Sequence, residues 1–193
     1  MPRLARVTQG EWRRMPWKNG GGVTSEILSE PGPDGRFLWR LSIAEVAAAG
    51  PFSDFAGYER HILLLQGDGF VLRLAGAPPQ RMDRRLEPFT FDGGRPVECE
   101  LLGGPVRDLN LMVAREAGKG GLRVIRIAAG GRIALPLAGV VVVHLVEGAL
   151  EGGGVRLAPG DTLRAEGDAG EVVALAAEEG SVAVVGMIGL MAG

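Results

Sequence analysis

Short apolar runs alternate with turn-forming residues along almost the whole chain. Each run has the length of a β-strand, most are rich in β-branched residues, and Gly, Pro or Asp residues separate them. The stretch Ser42–Ala49 has some helical propensity, but it continues an alternating segment and Gly50-Pro51 ends it, so it is interpreted as a strand. The pattern predicts a mostly β chain, folded as a sandwich or a barrel. The predicted strands include Ile62–Leu65, Phe70–Leu74, Val97–Leu102, Leu109–Val113, Leu122–Ile127, Val140–Val146, Val172–Leu175 and Val182–Met187.

The chain also contains an internal repeat. Ile62–Gly67 is echoed by Val142–Gly148, and each copy is followed by a strand, a Leu-x-Pro sequence and two more strands. The same order of elements in both copies predicts two similar β lobes. We place the boundary in the Gly-containing stretch Ala117–Gly121, which gives an N-terminal lobe over residues 1–117 and a C-terminal lobe over residues 118–193.

The second copy resembles the cupin pattern of a strand, a Gly turn and a Gly-Asp turn, in Val146–Leu150 and Val155–Asp161. Metal cupins chelate their ion with a His-x-His pair and a more distant His and Glu, whereas the corresponding stretch Arg126–Val140 has no His. The two His of the chain, His61 and His144, lie in apolar sequence that is typical of a core histidine. Because a mononuclear site needs several ligands that converge, the sequence predicts no metal and no cofactor.

Composition narrows the function classes. With 32 Gly but 46% hydrophobic residues in 193, the chain is neither collagen-like nor disordered. The single Cys99 excludes a disulfide scaffold and a Cys-based zinc site. A net charge of −2, with neither sign in a long block, argues against nucleic acid or an anionic membrane as a partner. The N-terminus lacks the apolar core of a signal peptide and the apolar runs are too short to span a bilayer, so a cytoplasmic protein is expected.

Polar residues recur on one face of several predicted strands. Alternation puts Arg40 and Ser42 together on one strand and Asp108 and Asn110 on another, and Arg60 begins a very apolar strand. On an open sheet this would be the solvated face. In a barrel it would line the interior, where a charge must be paired or meet a ligand. Because Arg binds carboxylates bidentately, these groups would suit a small carboxylate-bearing molecule.

The stretch Trp17–Ile27 is the densest polar and Gly-rich signal. Asn-Gly followed by two more glycines predicts a tight turn, and the glycines let backbone N–H groups approach a ligand or another strand. In the strand that follows, Thr24 and Glu26 share a face. A Gly-rich hairpin with a solvated face explains the pattern equally well. A nucleotide-binding loop is excluded, since no Gly-Lys-Ser/Thr sequence follows.

Taken together, these segments resemble the HutD/Ves family. The resemblance covers roughly residues 5–185, and one departure is Ala56, where the family more often has Pro. It implies an all-β fold, a two-lobed cupin-like (bicupin, jelly-roll) β-barrel without a metal centre. The segments that carry it are Trp17–Ile27, Trp39–Val46, Gly50–Arg60, Phe89–Gly93 and Asp108–Met112.

The resemblance also implies a function. HutD proteins are associated with histidine-utilisation operons and are proposed to bind a pathway intermediate, such as N-formylglutamate or urocanate, and to temper the pathway. We therefore expect a small-molecule-binding protein that takes a carboxylate-bearing metabolite and modulates histidine utilisation. We predict that Asn19, Thr24 and Glu26 form one wall of the ligand site. Arg40 and Arg60 would bind the carboxylate, and Asp108 and Asn110 would fix the orientation of the ligand.

Two alternative functions stay open. A metal-independent isomerase or hydrolase acting on a similar small acid would use Glu26 or Asp108 as general base, with its pKa set by burial and by the arginines. No catalytic residue is predicted, because Ser42 and Ser53 have no His nearby in sequence and Cys99 lies in an apolar strand. A protein-binding module would instead expose an apolar patch. By analogy with cupins, which often pair through edge strands, a homodimer is a further expectation.

Overall fold

The computed structural model describes residues 2–191, except for the side chain of Asp34. Within these residues the chain forms nineteen strands and two short 3-10 turns, at Gln9–Glu11 and Pro33–Gly35, and no α-helix. The strands are β1 Arg3–Val7, β2 Arg13–Pro16, β3 Gly22–Pro31, β4 Phe37–Val46, β5 Gly50–Pro51, β6 Tyr58–Gln66, β7 Phe70–Leu74, β8 Gln80–Met82, β9 Phe89–Asp92, β10 Val97–Leu101, β11 Val106–Ala114, β12 Gly118–Ile127, β13 Arg132–Pro136, β14 Gly139–Glu147, β15 Leu150–Gly152, β16 Val155–Leu157, β17 Thr162–Gly167, β18 Val172–Ala177 and β19 Ser181–Leu190.

The predicted strands are present, with small differences at their ends. Every apolar run of the sequence lies in a strand, but β10 ends before Leu102 and β4 ends at Val46 rather than at Ala49. The described residues include no helix with the length and hydrophobicity that a membrane span requires.

The chain divides into two compact units. The first, called the N-lobe here, consists of residues Arg13–Ala117, and the second, the C-lobe, consists of the chain from Gly118 onward together with the segment up to Trp12. The assignment of this first segment to the N-terminal lobe was wrong, because β1 pairs antiparallel with β17 and forms an edge of a C-lobe sheet. A short apolar run in the sequence does not reveal its pairing partner, which lies far along the chain.

Each lobe contains two antiparallel sheets in the same topological order. In the N-lobe, strands β4-β11-β6-β9 continue into β3 and β2 at one edge, and the second sheet has the order β5-β10-β7-β8. In the C-lobe, the order β12-β19-β14-β17 continues into β1 at the other edge, and the second sheet has the order β13-β18-β15-β16. The eight strands β4–β11 thus correspond one by one to β12–β19, which confirms the internal repeat.

The N-lobe core lies between its two sheets. Ile62 and Leu64 of β6 belong to one apolar cluster with Phe70 and Leu72 of β7, and all four side chains are at most 1% exposed. Burying each such side chain stabilises the fold by roughly 1.5–3 kcal/mol. Strands β4, β6 and β11 of the larger sheet are longer than every strand of the smaller sheet, and their inward face changes from apolar to polar along its length. This polar end of the sheet carries the candidate site.

Candidate functional site

A cavity of about 480 Å³ lies in the N-lobe. Three adjacent strands, β4, β11 and β6, supply the buried polar side chains of its wall. The turn between β2 and β3 contributes Trp17–Asn19, and the loop after β5 contributes Phe52, Ser53 and Phe55. The volume falls within the range of small-molecule sites, which are typically mostly apolar with a few convergent polar groups.

Strand register arranges the polar side chains in rows across the sheet. Met112 of β11 pairs with Arg40 of β4 on one side and with Arg60 of β6 on the other, so the two arginines flank one residue. The next row inward contains Asn110 between Ser42 and Ile62, and the following row contains Asp108 between Ala44 and Leu64. Because alternate residues of a strand share a face, the whole grid faces the same side of the sheet.

Arg60 is almost fully buried, at 5% exposure. One terminal nitrogen donates a 2.9 Å hydrogen bond to Oδ1 of Asn110, while Nε is buried without a hydrogen-bond partner. Three aromatic rings surround the guanidinium, with centroids 5.0 to 5.6 Å from its central carbon: Phe52, Phe55 and Phe91. Burial lowers the pKa of Arg60 to about 10, which leaves the side chain cationic at neutral pH.

Arg40 lies on the other side of Met112 and shares a ring with Arg60. Its guanidinium carbon is 4.7 Å from the Phe37 centroid and 5.1 Å from the Phe55 centroid. Its Nε is buried without a hydrogen-bond partner, and one terminal nitrogen lies 3.6 Å from Sδ of Met112. Burial lowers the pKa of Arg40, and the charge of Glu26 opposes that shift. Neither arginine forms a salt bridge with any carboxylate of residues 2–191.

Asp108 is fully buried at the deep end of the grid. Its Oδ1 accepts a hydrogen bond from the side-chain amide of Asn110, and its Oδ2 is buried without a partner. Burial raises the pKa of Asp108 to about 7, against the attraction of Arg60 and the hydrogen bond from Asn110. A continuous chain therefore runs from the Arg60 guanidinium through Asn110 to the Asp108 carboxyl group.

The turn between β2 and β3 forms a second wall. The indole N–H of Trp17 donates a 2.8 Å hydrogen bond to Oγ1 of Thr24, and the Trp17 ring lies edge-on to Phe52. Asn19 accepts a hydrogen bond from the backbone N–H of Gly21, which closes the turn. Gly22 is required here, because a Cβ at this position would lie 2.4 Å from the backbone oxygen of Glu45 and 3.1 Å from the Trp17 ring.

Six of the seven residues predicted from the sequence line this one cavity. Glu26 does not. It shares the face of Thr24, but its carboxylate turns to Ser29 and lies 3.8 Å from Arg13, while its charge acts on Arg40 from outside the cavity. The residues that the structure brings together are Asn19, Thr24, Arg40, Arg60, Asp108 and Asn110.

Sequence reasoning missed the aromatic part of the wall. Phe52 and Phe55 lie in an irregular loop, where no periodicity predicts the direction of a side chain, although both belong to a segment that carried the family resemblance. Ser42 was placed on the face of Arg40 but not in the site, and Met112 also lines the cavity. Lys18 also lines the cavity and adds a third cation.

The donor set of the cavity does not fit a metal ion. Its wall has three cationic side chains and a single carboxyl group, Asp108, so it would repel a cation. Neither histidine lines it: His61 lies 2.7 Å from the hydroxyl of Thr90, and His144 lies 2.9 Å from that of Thr162. Across residues 2–191 no group of three His, Cys, Asp or Glu side chains is arranged to hold a metal.

Several known proteins are similar to this chain. The HutD family pattern matches residues 9–184. A Pseudomonas putida protein described as an uncharacterized 21.2 kDa protein in the hutC 3' region is 47% identical over 116 residues, 59% of this chain and 60% of that protein. Protein Ves of Citrobacter koseri is 41% identical over 116 residues, 58% of this chain and 60% of that protein. The matched segment therefore spans about 60% of the length of these curated relatives.

Solved structures extend the similarity to the whole chain. A conserved protein of unknown function from Pseudomonas aeruginosa PAO1 has a TM-score of 0.87 at 34% identity, over 97% of this chain and 99% of that one. HutD from Pseudomonas fluorescens SBW25, in a formate condition, has a TM-score of 0.83 at 32% identity, over 98% and 100%. The Escherichia coli pirin YhhW in complex with nickel(II) has a TM-score of 0.71 at 10% identity, over 97% and 100%. This last similarity concerns the fold alone and confirms the cupin-like prediction.

Proposed function

This chain belongs to the HutD family, and we propose that its N-lobe cavity binds a small carboxylate-bearing metabolite and that the protein thereby modulates histidine utilisation. N-formylglutamate and urocanate are the candidate ligands that the family association favours, and both carry a carboxylate.

One observation carries the proposal. Arg40 and Arg60 flank Met112 on the wall of one cavity, each has a buried Nε without a hydrogen-bond partner, and neither is paired with a carboxylate of the described chain. Burying a charge that has no salt-bridge partner costs free energy, and a bound counter-ion offsets that cost. An incoming carboxylate would accept hydrogen bonds from both guanidinium groups and offset that cost.

The aromatic part of the cavity wall also supports binding of a small organic acid. The Phe55 ring contacts both guanidinium groups, and the Phe52 ring contacts that of Arg60. These rings hold the arginines in place before a ligand arrives, which reduces the entropy lost on binding. They also supply apolar surface against which the carbon skeleton of the ligand can pack.

Isothermal titration calorimetry tests the proposal. Wild-type protein is titrated with N-formylglutamate and with urocanate, and the titration is repeated for Arg60→Gln and Arg40→Gln. Arg73→Gln is the matched control, because Arg73 lies in the same lobe but is half-exposed and paired with Glu100. We expect at least one acid to bind, with about tenfold or greater loss in each cavity variant and no change in the control. Equal binding by all four proteins, or no binding at all, would refute the proposal.

A second candidate function rests on Asp108. Its pKa of about 7 suits a general base or acid at neutral pH, and it lines the cavity. Glu26, the other base considered from the sequence, is outside the cavity wall. If the protein is a metal-independent isomerase or hydrolase, NMR of a bound acid would show its slow conversion, and Asp108→Asn would abolish that conversion while the acid still binds. An unchanged spectrum over prolonged incubation would leave binding as the function.

A further inference from the structure

We propose that Asp108 is an internal counter-ion that competes with the bound anion for Arg60, so that the N-lobe takes up a proton when an anion binds and binds anions more weakly as the pH rises. This pH-sensitive switch does not require the anion to touch Asp108. The inference rests on the proposed function, since the anion is taken to bind at Arg40 and Arg60.

The charge balance of the cavity depends on Asp108. Of the described residues that line the cavity, Asp108 alone carries a carboxyl group, whereas Lys18, Arg40 and Arg60 are cationic. Asp108 is 0% exposed, so it is shielded from dissolved ions and from a molecule in the cavity. Charges in such surroundings are screened less than charges at the surface. The ionisation of Asp108 therefore changes the attraction of the cavity for an anion.

Asn110 connects Asp108 to Arg60. Its side-chain amide donates a hydrogen bond to Oδ1 of Asp108, and its Oδ1 accepts the 2.9 Å hydrogen bond from the Arg60 guanidinium. Arg60 and Asp108 attract each other electrostatically through this bridge. Because the bridge leaves Nε of Arg60 without a hydrogen-bond partner, Asp108 partly balances the charge of Arg60 without occupying its donors.

The other groups around Asp108 do not compete for this role. Its neighbours in the same row of the sheet, Ala44 and Leu64, have uncharged side chains. The titratable groups of the described chain that act on it electrostatically are Arg60 of β6 and Cys99 of β10. Burial raises the pKa of the Cys99 thiol to about 12, so this thiol stays neutral. Arg60 is thus the charge that Asp108 shares with a bound anion.

An anion at Arg60 and an ionised Asp108 repel each other. Rows on one face of a strand are about 7 Å apart, and the Asn110 row lies between, which places the two negative charges about 10 Å apart. At an effective dielectric constant of about 20, a like charge at that distance weakens binding roughly tenfold. Burial already raises the pKa of Asp108 to about 7. Protonation of Asp108 therefore removes the repulsion near neutral pH.

Calorimetry of the wild-type protein with N-formylglutamate tests the switch, because both carboxylates of this ligand stay ionised near neutral pH. Titrations in MOPS and in Tris, whose enthalpies of ionisation differ, give the number of protons taken up on binding. We expect an uptake of about half a proton between pH 7 and pH 8, and an affinity about fivefold lower at about pH 8 than at about pH 6. This measurement requires no variant.

Two variants identify the group that titrates. Asp108→Asn keeps the hydrogen bond from Asn110 and removes the charge, so proton uptake and pH dependence should be lost while binding persists. His61→Gln is the matched control, because an imidazole also titrates near neutral pH and His61 follows Arg60 in β6 but bonds to Thr90 on the opposite face. This control should behave as wild type.

The outcomes separate this inference from the proposed function. An affinity that stays constant from about pH 6 to about pH 8 without proton uptake would overturn the switch and leave the carboxylate site standing. A pH dependence that persists in Asp108→Asn would do the same. If N-formylglutamate does not bind at millimolar concentration, both proposals fail.

Discussion

The Arg60 guanidinium donates a 2.9 Å hydrogen bond to Oδ1 of Asn110, and the two side chains are only 5% and 3% exposed. Asn110 in turn donates to Asp108, so a single amide links the cationic and the acidic part of the cavity. Because an amide has one acceptor end and one donor end, Asn110 can serve both neighbours at once, which a carboxylate could not do.

Asn110→Leu should therefore destabilise the protein. The substitution keeps the branched shape of the side chain but leaves Arg60 without its acceptor and Asp108 without its donor, and each loss of a buried partner costs about 1–3 kcal/mol. Urea unfolding measures the change in the free energy of unfolding. Asn19→Leu is the control, because Asn19 is exposed and bonds only to a backbone N–H of its own turn. Similar losses in the two variants would contradict the role given to Asn110.

The stability of the protein should depend on pH through Asp108. Its folded-state pKa is about 7, whereas an unfolded Asp titrates near 4. Between these values the folded protein holds a proton that the unfolded chain releases. This group therefore lowers the free energy of unfolding as pH rises from about 4 to about 7, and the loss persists above pH 7.

Asp108→Asn removes that titration and provides the measurement. Surface carboxylates with lowered pKa values, such as Glu100 and Asp92, act in the opposite direction, so the informative quantity is the difference between variant and wild type. The variant should gain stability relative to wild type between about pH 4.5 and pH 8 in urea unfolding. A difference that does not change with pH would show that Asp108 does not titrate in this range.

Phe55→Leu should weaken carboxylate binding without removing either arginine. The Phe55 ring lies 5.1 Å from the Arg40 guanidinium carbon and 5.6 Å from that of Arg60. Each cation–π contact contributes about 0.5–2 kcal/mol, and losing both frees the guanidinium groups to move. Calorimetry should show roughly a tenfold loss of affinity with most of the stability retained. Phe89→Leu is the control, since Phe89 contacts neither arginine among the described interactions, and it should bind as wild type does.

Gly22→Ala should disrupt the second wall of the cavity. The added Cβ would lie 2.4 Å from the Glu45 backbone oxygen and 3.1 Å from the Trp17 ring, so the turn must shift. Overpacking of this kind costs about 1–3 kcal/mol, and the tryptophan fluorescence of the protein should change as the hydrogen bond from Trp17 to Thr24 is strained. Gly104→Ala is the control, because nothing lies within 4 Å of its Cβ position. Equal stability and fluorescence in the two variants would be the contrary result.

The regular strands of the site were predictable, and its irregular segments were not. Alternation alone placed Arg40 with Ser42 and Asp108 with Asn110 on shared faces, because a strand has a fixed period of two. Alternation could not predict that these polar residues would lie side by side on neighbouring strands, since the register depends on how β4, β11 and β6 pair. Glu26 illustrates the limit: its face was correct, but its contacts with Ser29 and Arg13 lie away from the cavity.

The internal repeat of the fold was predictable from the sequence, whereas the pairing of its edge strands was not. The shared order of apolar runs and turns predicted two similar halves, because each half must bury the same kind of sheet face. Gly67 and Gly148, at matching places in the two copies, both have positive φ values and close the equivalent turns. The pairing of β1 with β17 joins residues that are far apart in sequence, and no local pattern encodes such a contact.

The side-chain signals of Arg40 and Arg60 provide the most direct test of the carboxylate site. Their Nε–H groups have no partner in the described chain, whereas that of Arg73 is bonded to Glu100. In a ¹⁵N NMR titration with N-formylglutamate, with signals assigned from Arg40→Lys and Arg60→Lys, we expect both Nε–H resonances to shift in a saturable way and that of Arg73 to stay in place. Unmoved Arg40 and Arg60 signals, or a shift shared equally by Arg73, would contradict the account.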